Sequence, residues 1–182
     1  MNTLQLTRIL EHDHLTKPRF LGVFASDQLT ETIERYPFLL IVNADTSSQP
    51  GSHWLAMYFS SESSGEFYDS YGNNVDYYSK DIVRFTEKHA RNVLFNSQQV
   101  QSNYSTVCGQ HCLFYLIHRS RHVPMQEIVN FFSPDKIWND LMVEDFISKH
   151  FQVKSHTPKS SEVECLVNQW STFRTQSRHS YL

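Results

Sequence analysis

The sequence predicts an α+β fold, a small and mostly antiparallel central sheet packed against helices. Three observations point there. Apolar runs of strand length, such as YPFLLIV and WLAMYF, are concentrated in the first half of the chain. WLAMYF and FYDSYG flank the polar turn SSESSGE and read as a hairpin. From Cys108 onward the patterned segments are helical. The resulting order is helix, strands, helix, strand, helices, which is that of segregated α+β domains.

Each element has a local reason. Leu4, Leu6, Ile9 and Leu10 form the apolar stripe of a short amphipathic helix. PRFLGVFASDQL is a turn followed by an extended piece, with Gly22 free to take an unusual backbone angle. YPFLLIVNA is a buried strand opened by Pro37. Residues 45–52, DTSSQPGS, are a loop, and WLAMYF begins the hairpin that closes at Gly72. Ser79 caps a helix whose apolar side is Ile82, Val83, Phe85 and Thr86. NVLF is a further short strand. The polar run QQVQSNYSTV then leads into CGQHCLFYLIHR, a helix apolar nearly all round and therefore buried. Pro124 opens PMQEIVNFF, and acids begin EDFISKHF. Residues 1–154 read as one domain. Residues 155–182 read as an extension in which Val163, Leu166 and Trp170 share a helical face and Cys165 is a small apolar contact.

Bulk properties exclude several classes. The 182 residues carry 16 Lys and Arg against 19 Asp and Glu, a net charge of -3. No large basic face is expected, so DNA is not an expected partner. The imbalance is uneven: residues 1–149 carry net -5 and residues 150–182 net +2. No apolar run reaches the ~18 residues of a membrane span. The first residues lack the apolar core of a signal peptide. Three cysteines do not make a disulfide framework, and an intracellular protein with reduced thiols is expected.

The chemistry concentrates on Cys108. A thiol at a helix N-terminus sits near the positive end of the helix dipole and near free amides, and both favour the thiolate. The thiolate is the nucleophilic form, and a neighbouring imidazole stabilises it as an ion pair. His53 precedes strand WLAMYF and Asp69 ends its hairpin partner. Their separation of 16 is even, so a regular ladder puts both on one face. Asp69 would then fix the tautomer of His53, and His53 would take the proton of Cys108. Acyl transfer also needs oxyanion donors: the Cys108 amide is one, and Gln98, Gln99 or Gln101 supplies a side-chain donor. Gly109 leaves room beside the sulfur.

GSHW, YDSYG and VQSNYSTVCG, in that order, resemble the adenovirus protease (adenain) family and, more distantly, the proteases of SUMO and related ubiquitin-like modifiers. His53-Trp54 matches the family's His-Trp, Asp69 its acid and Cys108-Gly109 its Cys-Gly. Gln101, seven residues before Cys108, matches the adenain spacing of the oxyanion glutamine. PRFLGVF and IVN have counterparts upstream. The likeness spans roughly residues 5–150. It implies a papain-related cysteine protease fold, and hydrolysis at Gly-Gly or Gly-X sites of a polypeptide substrate. A narrow groove at Trp54 and Gly109 would admit only small residues. It further implies a virus-like enzyme that matures capsid or other structural proteins in the nucleus, the cytoplasm or a virion, without a cofactor. Two features depart from adenain. That family is basic and stimulated by DNA, and a peptide activates it through a disulfide upstream of the glutamine. Residues 70–107 here contain no cysteine, so an activating peptide would have to bind non-covalently.

Other readings fit less well. Cys108, His111 and Cys112 lie close together and His12 and His14 form HDH, but no second paired spacing completes a zinc site, so no metal is expected. HExxH, GxSxG, GxGxxG and P-loop motifs are absent. A deconjugase for ubiquitin-like tails and an inactive binding module of the same fold are the remaining alternatives. A binder needs none of His53, Asp69, Gln101 and Cys108.

Overall fold

The computed structural model describes residues 1–29, 32–33 and 35–151. The extension at 155–182, with Val163, Cys165, Leu166 and Trp170, and the boundary at 154 lie outside the described residues. The chain opens with α1 (Thr3–His12) and β1 (Phe20–Ala25), followed by β2 (Phe38–Asn43), β3 (Trp54–Ser61) and β4 (Ser64–Tyr68). It continues through α2 (Lys80–His89), β5 (Asn92–Phe95), α3 (Cys108–Arg119), α4 (Met125–Asn130) and α5 (Lys136–Phe151). No helix among the described residues is long and apolar enough to cross a membrane.

The five strands lie in chain order in one sheet. The expected antiparallel character holds only at its centre. β2–β3 and β3–β4 are antiparallel, whereas β1–β2 and β4–β5 are parallel. The reason is in the connections. A two-residue turn (Glu62 and Ser63) joins β3 to β4, whereas α2 carries the chain back across the sheet from β4 to β5 and so imposes a parallel pair.

Alternation along the central strands builds two cores. Leu39, Ile41, Ala56 and Tyr58 face the layer of α1, α3, α4 and α5. Phe38, Leu40, Val42, Leu55, Met57 and Phe59 face α2, through Ile82 and Phe85. Because β2 is buried on both faces, it reads as a continuous apolar run. Ten of the twelve α3 residues are buried, and the helix lies across β3. On its sheet side Tyr115 stacks on Tyr68 with centroids 4.5 Å apart, and its hydroxyl donates to Glu66. Glu66 also pairs with Arg119 at 2.7 Å, and the Arg119 guanidinium covers the Tyr58 ring.

Two local expectations need correction. Ser79 occupies the N-cap of α2, but its side chain makes no capping bond. α5 starts well before Glu144: Asp135 accepts the amides of Ile137 and Trp138 at 3.0 and 3.2 Å and so opens the helix at Lys136.

Gly65 marks how tightly the α2 side is packed. A Cβ there would sit 2.9 Å from Ala90 Cβ and from two carbons of the Phe59 ring. Gly65→Ala should therefore destabilise the domain by about 1–3 kcal/mol, seen as a lower urea midpoint at unchanged m-value.

Candidate active site

His53 and Asp69 meet at one end of the central hairpin. In the β3–β4 register Ala56 faces Tyr68. Continued past the ladder, that register sets His53 opposite Tyr71 and diagonal to Asp69 on the same face. The His53 ring stacks on Tyr71 at 4.8 Å, and its Nε2 lies 2.7 Å from Asp69 Oδ1. Cys108 lines the same cleft, close enough for its charge and that of His53 to act on one another.

Asp69 is fully buried and surrounded by donors. Besides His53, Oδ1 accepts the Tyr71 amide at 2.9 Å. Oδ2 accepts the Asn73 amide, the Asn73 side chain and the Tyr78 hydroxyl at 3.0, 2.8 and 2.7 Å. Burial alone would raise its pKa. The bonds from His53 and Tyr78 and the charge of His53 outweigh it and hold the carboxyl below its ordinary value. The same carboxylate pushes the Tyr78 hydroxyl far up, with burial as the larger cause, so Tyr78 remains a donor. The Asp69 backbone is fixed in turn by Asn96, which accepts its amide at 3.0 Å and donates to its carbonyl at 2.6 Å.

The turn after Asp69 depends on Gly72. Its φ is +78°, and a Cβ would fall 2.8 Å from the Gln98 carbonyl carbon and 2.9 Å from the Gln99 nitrogen. Only glycine lets the two segments approach this closely. The contact brings the 98–101 segment beside Asp69.

Cys108 is the first residue of α3. Burial would raise its thiol, yet the hydrogen bond and charge of His53 and the amides of Trp54 and Gly109 bring it below its ordinary value. Burial likewise opposes the imidazolium, but bonds to Asp69 and Cys108 and their charges raise His53 to about 9. The two shifts reinforce one another: a charged imidazole favours the thiolate, and a thiolate favours the imidazolium.

Gln101 is buried with its side chain fixed at both ends. Oε1 accepts from Ser70 Oγ at 2.6 Å, and Nε2 donates to the carbonyl and hydroxyl of Ser105 at 3.2 Å each. The Tyr71 hydroxyl lies 3.5 Å from Nε2 as a more distant third acceptor. Gln101 and Cys108 line the same cleft of about 650 Å³, together with His53, Trp54 and Tyr71. Gln99 turns away, donating to the Gln101 carbonyl and Asn103.

Trp54 forms a fixed wall of this cleft, its indole N–H donating to the Met1 carbonyl at 3.1 Å. Gly109 does not line the cleft, contrary to its expected place in the groove. It is buried, and a Cβ would meet Leu6 and Trp54 at 3.3 Å and Met1 at 3.4 Å. Its role in the structure is to let α1 and Trp54 close onto the start of α3. His111 and Cys112, which share a metal-like spacing with Cys108, are engaged elsewhere, His111 with Asp140 and Cys112 with the Trp54 carbonyl.

Sequence reasoning missed the groups that hold this arrangement: Ser70, Asn73, Tyr78 and Asn96. Asn73 follows a glycine in a turn and was legible as a turn residue. The others act across 9 to 31 residues, and nothing local signals them.

No family model matches the sequence, and no curated protein matches it. Among solved structures the chain is similar to the ASFV pS273R protease, with a TM-score of 0.41 and 22% identity over 58% of this chain. The match covers 42% of that protein, so this chain spans less than half of its length.

Removing the carboxylate charge should uncouple the pair. In Asp69→Asn, His53 should titrate below its value of about 9, read by NMR of the imidazole. With less imidazolium present, the thiol pKa rises, so Cys108 alkylation by iodoacetamide at pH 7 should slow by roughly tenfold.

Proposed function

We propose that the protein is a cysteine endopeptidase in which Cys108 is the nucleophile, His53 the acid and base, and Asp69 the group that orients His53. The observation that carries the reading is the buried His53–Asp69 hydrogen bond, beside a Cys108 thiol that shares one cleft with His53 and Gln101. A binding module would have no need to bury an ion pair of this kind, since desolvating it costs free energy.

In the proposed reaction the Cys108 thiolate attacks the scissile carbonyl carbon. The carbonyl electrons move to oxygen, where the Cys108 amide and Gln101 Nε2 supply hydrogen bonds. His53, protonated below about 9, gives its proton to the departing amine as the C–N bond breaks. The thioester that remains is cleaved by water, with His53 now accepting a proton from that water. The acid product leaves, and the thiolate is restored. Asp69 keeps its charge throughout and holds Nε2.

The substrate proposed is a polypeptide with glycine at the cleaved bond. Trp54 supports this reading, because an indole lining the cleft together with Cys108 favours residues without side chains beside the sulfur. The sequence resemblance to adenain supports cleavage at Gly-Gly or Gly-X and maturation of virus-like structural proteins. Ubiquitin-like tails end in the same chemistry, and fusions carrying such a tail are the comparison substrate.

Purified protein should hydrolyse Gly-Gly or Gly-X peptides, and Cys108→Ala should abolish hydrolysis while keeping the wild-type Tm. A variant that retained the parent rate would remove the nucleophile assignment. Gln101→Ala should lower kcat by roughly 10²–10³, as loss of one oxyanion donor does, with the rate of Cys108 alkylation unchanged.

A further inference from the structure

The proposed chemistry requires the sulfur at the start of α3 and the amide of Gln101 to keep a fixed separation, although they lie on different segments. Gln101 sits in the stretch between β5 and α3, which has no helix or strand of its own. Misplacement by about 1 Å is enough to cost an oriented group much of its effect. Ser70 fixes the inner side of this stretch, its carbonyl accepting the amides of Val100 and Gln101 at 2.9 and 3.0 Å.

The outer side is held by two consecutive residues of α5. Asn139 Nδ2 donates to the Val100 carbonyl at 3.0 Å. Asp140 Oδ2 accepts the Ser102 amide at 3.1 Å. The backbone is thus gripped immediately before and immediately after Gln101. Asn139 is itself locked by Ser133, whose amide and carbonyl both bond its side chain at 2.9 Å.

Asp140 does more than hold the loop. Its Oδ1 lies 2.8 Å from His111 Nε2, and His111 is three residues beyond Cys108 on α3. One carboxylate therefore ties the segment of Gln101 to the helix of Cys108. Both ends are shielded, with His111 0% and Asp140 6% exposed. Burial lowers the pKa of His111, the effect of Asp140 notwithstanding, so the ring is neutral. Neutral His111 donates Nε2–H to Asp140, and its Nδ1 has no hydrogen-bond partner among the described residues. A buried polar link of this kind is a costly way to join two segments that apolar side chains could also join. Its geometric advantage is direction: a carboxylate with two donors fixes both of them in orientation.

We propose that Asp140, backed by His111, is a positioning residue that holds Gln101 at the right distance from Cys108 for oxyanion binding. The role rests on the peptidase reading and adds a residue that touches neither substrate nor the reacting atoms. It predicts coupling to Gln101 and none to the nucleophilicity of the thiol.

The test is a double-variant cycle on the full chain, with a Gly-Gly peptide as substrate and iodoacetamide as a probe of the thiolate that forms no oxyanion. Asp140→Ala should lower kcat by about tenfold with KM within about twofold, while the alkylation rate stays within about twofold. In a Gln101→Ala background the same change should cost less than about twofold, because the group being positioned is gone. Asp140→Asn keeps an acceptor for the Ser102 amide and should recover most of kcat. Full additivity with Gln101→Ala, a parallel fall in alkylation, or wild-type kcat in Asp140→Ala would each overturn the positioning role while leaving the peptidase reading intact. Rapid alkylation of Cys108 with no hydrolysis in the wild type would overturn the peptidase reading and the positioning role with it. If Asp140→Ala does not fold, Asn139→Ala loosens the other side of Gln101, and the same cycle decides.

Discussion

The site depends on a carboxylate that cannot lose its charge. Asp69 is sealed from water at the end of the central hairpin, where an isolated anion would be strongly disfavoured. Its hydrogen bonds reverse that preference: two backbone amides, one side-chain amide, one phenol and His53 surround it. A charge fixed in this way raises His53, and the raised imidazolium lowers Cys108. The coupling of His53 and Cys108 follows from satisfying one buried acid, and the turn that satisfies it exists because residue 72 is glycine.

The remaining geometry follows from how the sheet meets α3. Trp54 begins β3, Asp69 follows β4, and Cys108 begins the helix that crosses β3. The three groups converge because strand ends and a helix start meet at one edge of the same core. The packing there is close: a methyl group at Gly109 would meet Leu6 and Trp54 at 3.3 Å, so those side chains would have to give by a few tenths of an ångström. Regular elements therefore carry Cys108 and adjoin His53, and the less regular 96–107 stretch carries Gln101. That division explains why the stretch needs clamps from Ser70 on one side and α5 on the other.

Much of this was readable before any coordinates. YPFLLIV and WLAMYF declared buried strands by length and apolarity, and the even spacing of His53 and Asp69 gave their common face. The offset of Gln101 from Cys108 singled it out among three nearby glutamines, and it is Gln101 that lines the cleft. What failed was whatever depends on the path between elements. The parallel edges of the sheet follow from crossovers, and strand direction leaves no mark in a strand's own composition. The start of α5 was missed because EDF looks like a helix N-terminus, whereas Asp135 takes that part nine residues earlier. Gly109 was placed in the groove on its neighbourhood in sequence, but helix geometry turns it toward α1.

The missed start of α5 shows how a boundary error hides function. Residues 136–143 hold Asn139 and Asp140, and without a helix there these read as two polar residues in a loop. Placed in the first turns of a helix against α3, they become buried, and a buried Asp must find donors. The donors it finds are one amide beside Gln101 and one imidazole three residues beyond Cys108. Burial thus converts a weak local signal into a strong spatial constraint. The same logic runs through Asp69, Gln101 and Asn96, each a polar side chain less than 5% exposed whose bonds set the position of a neighbour. In this fold the buried polar groups outside the ion pair are the ones that set distances, and the apolar core keeps water from competing for them.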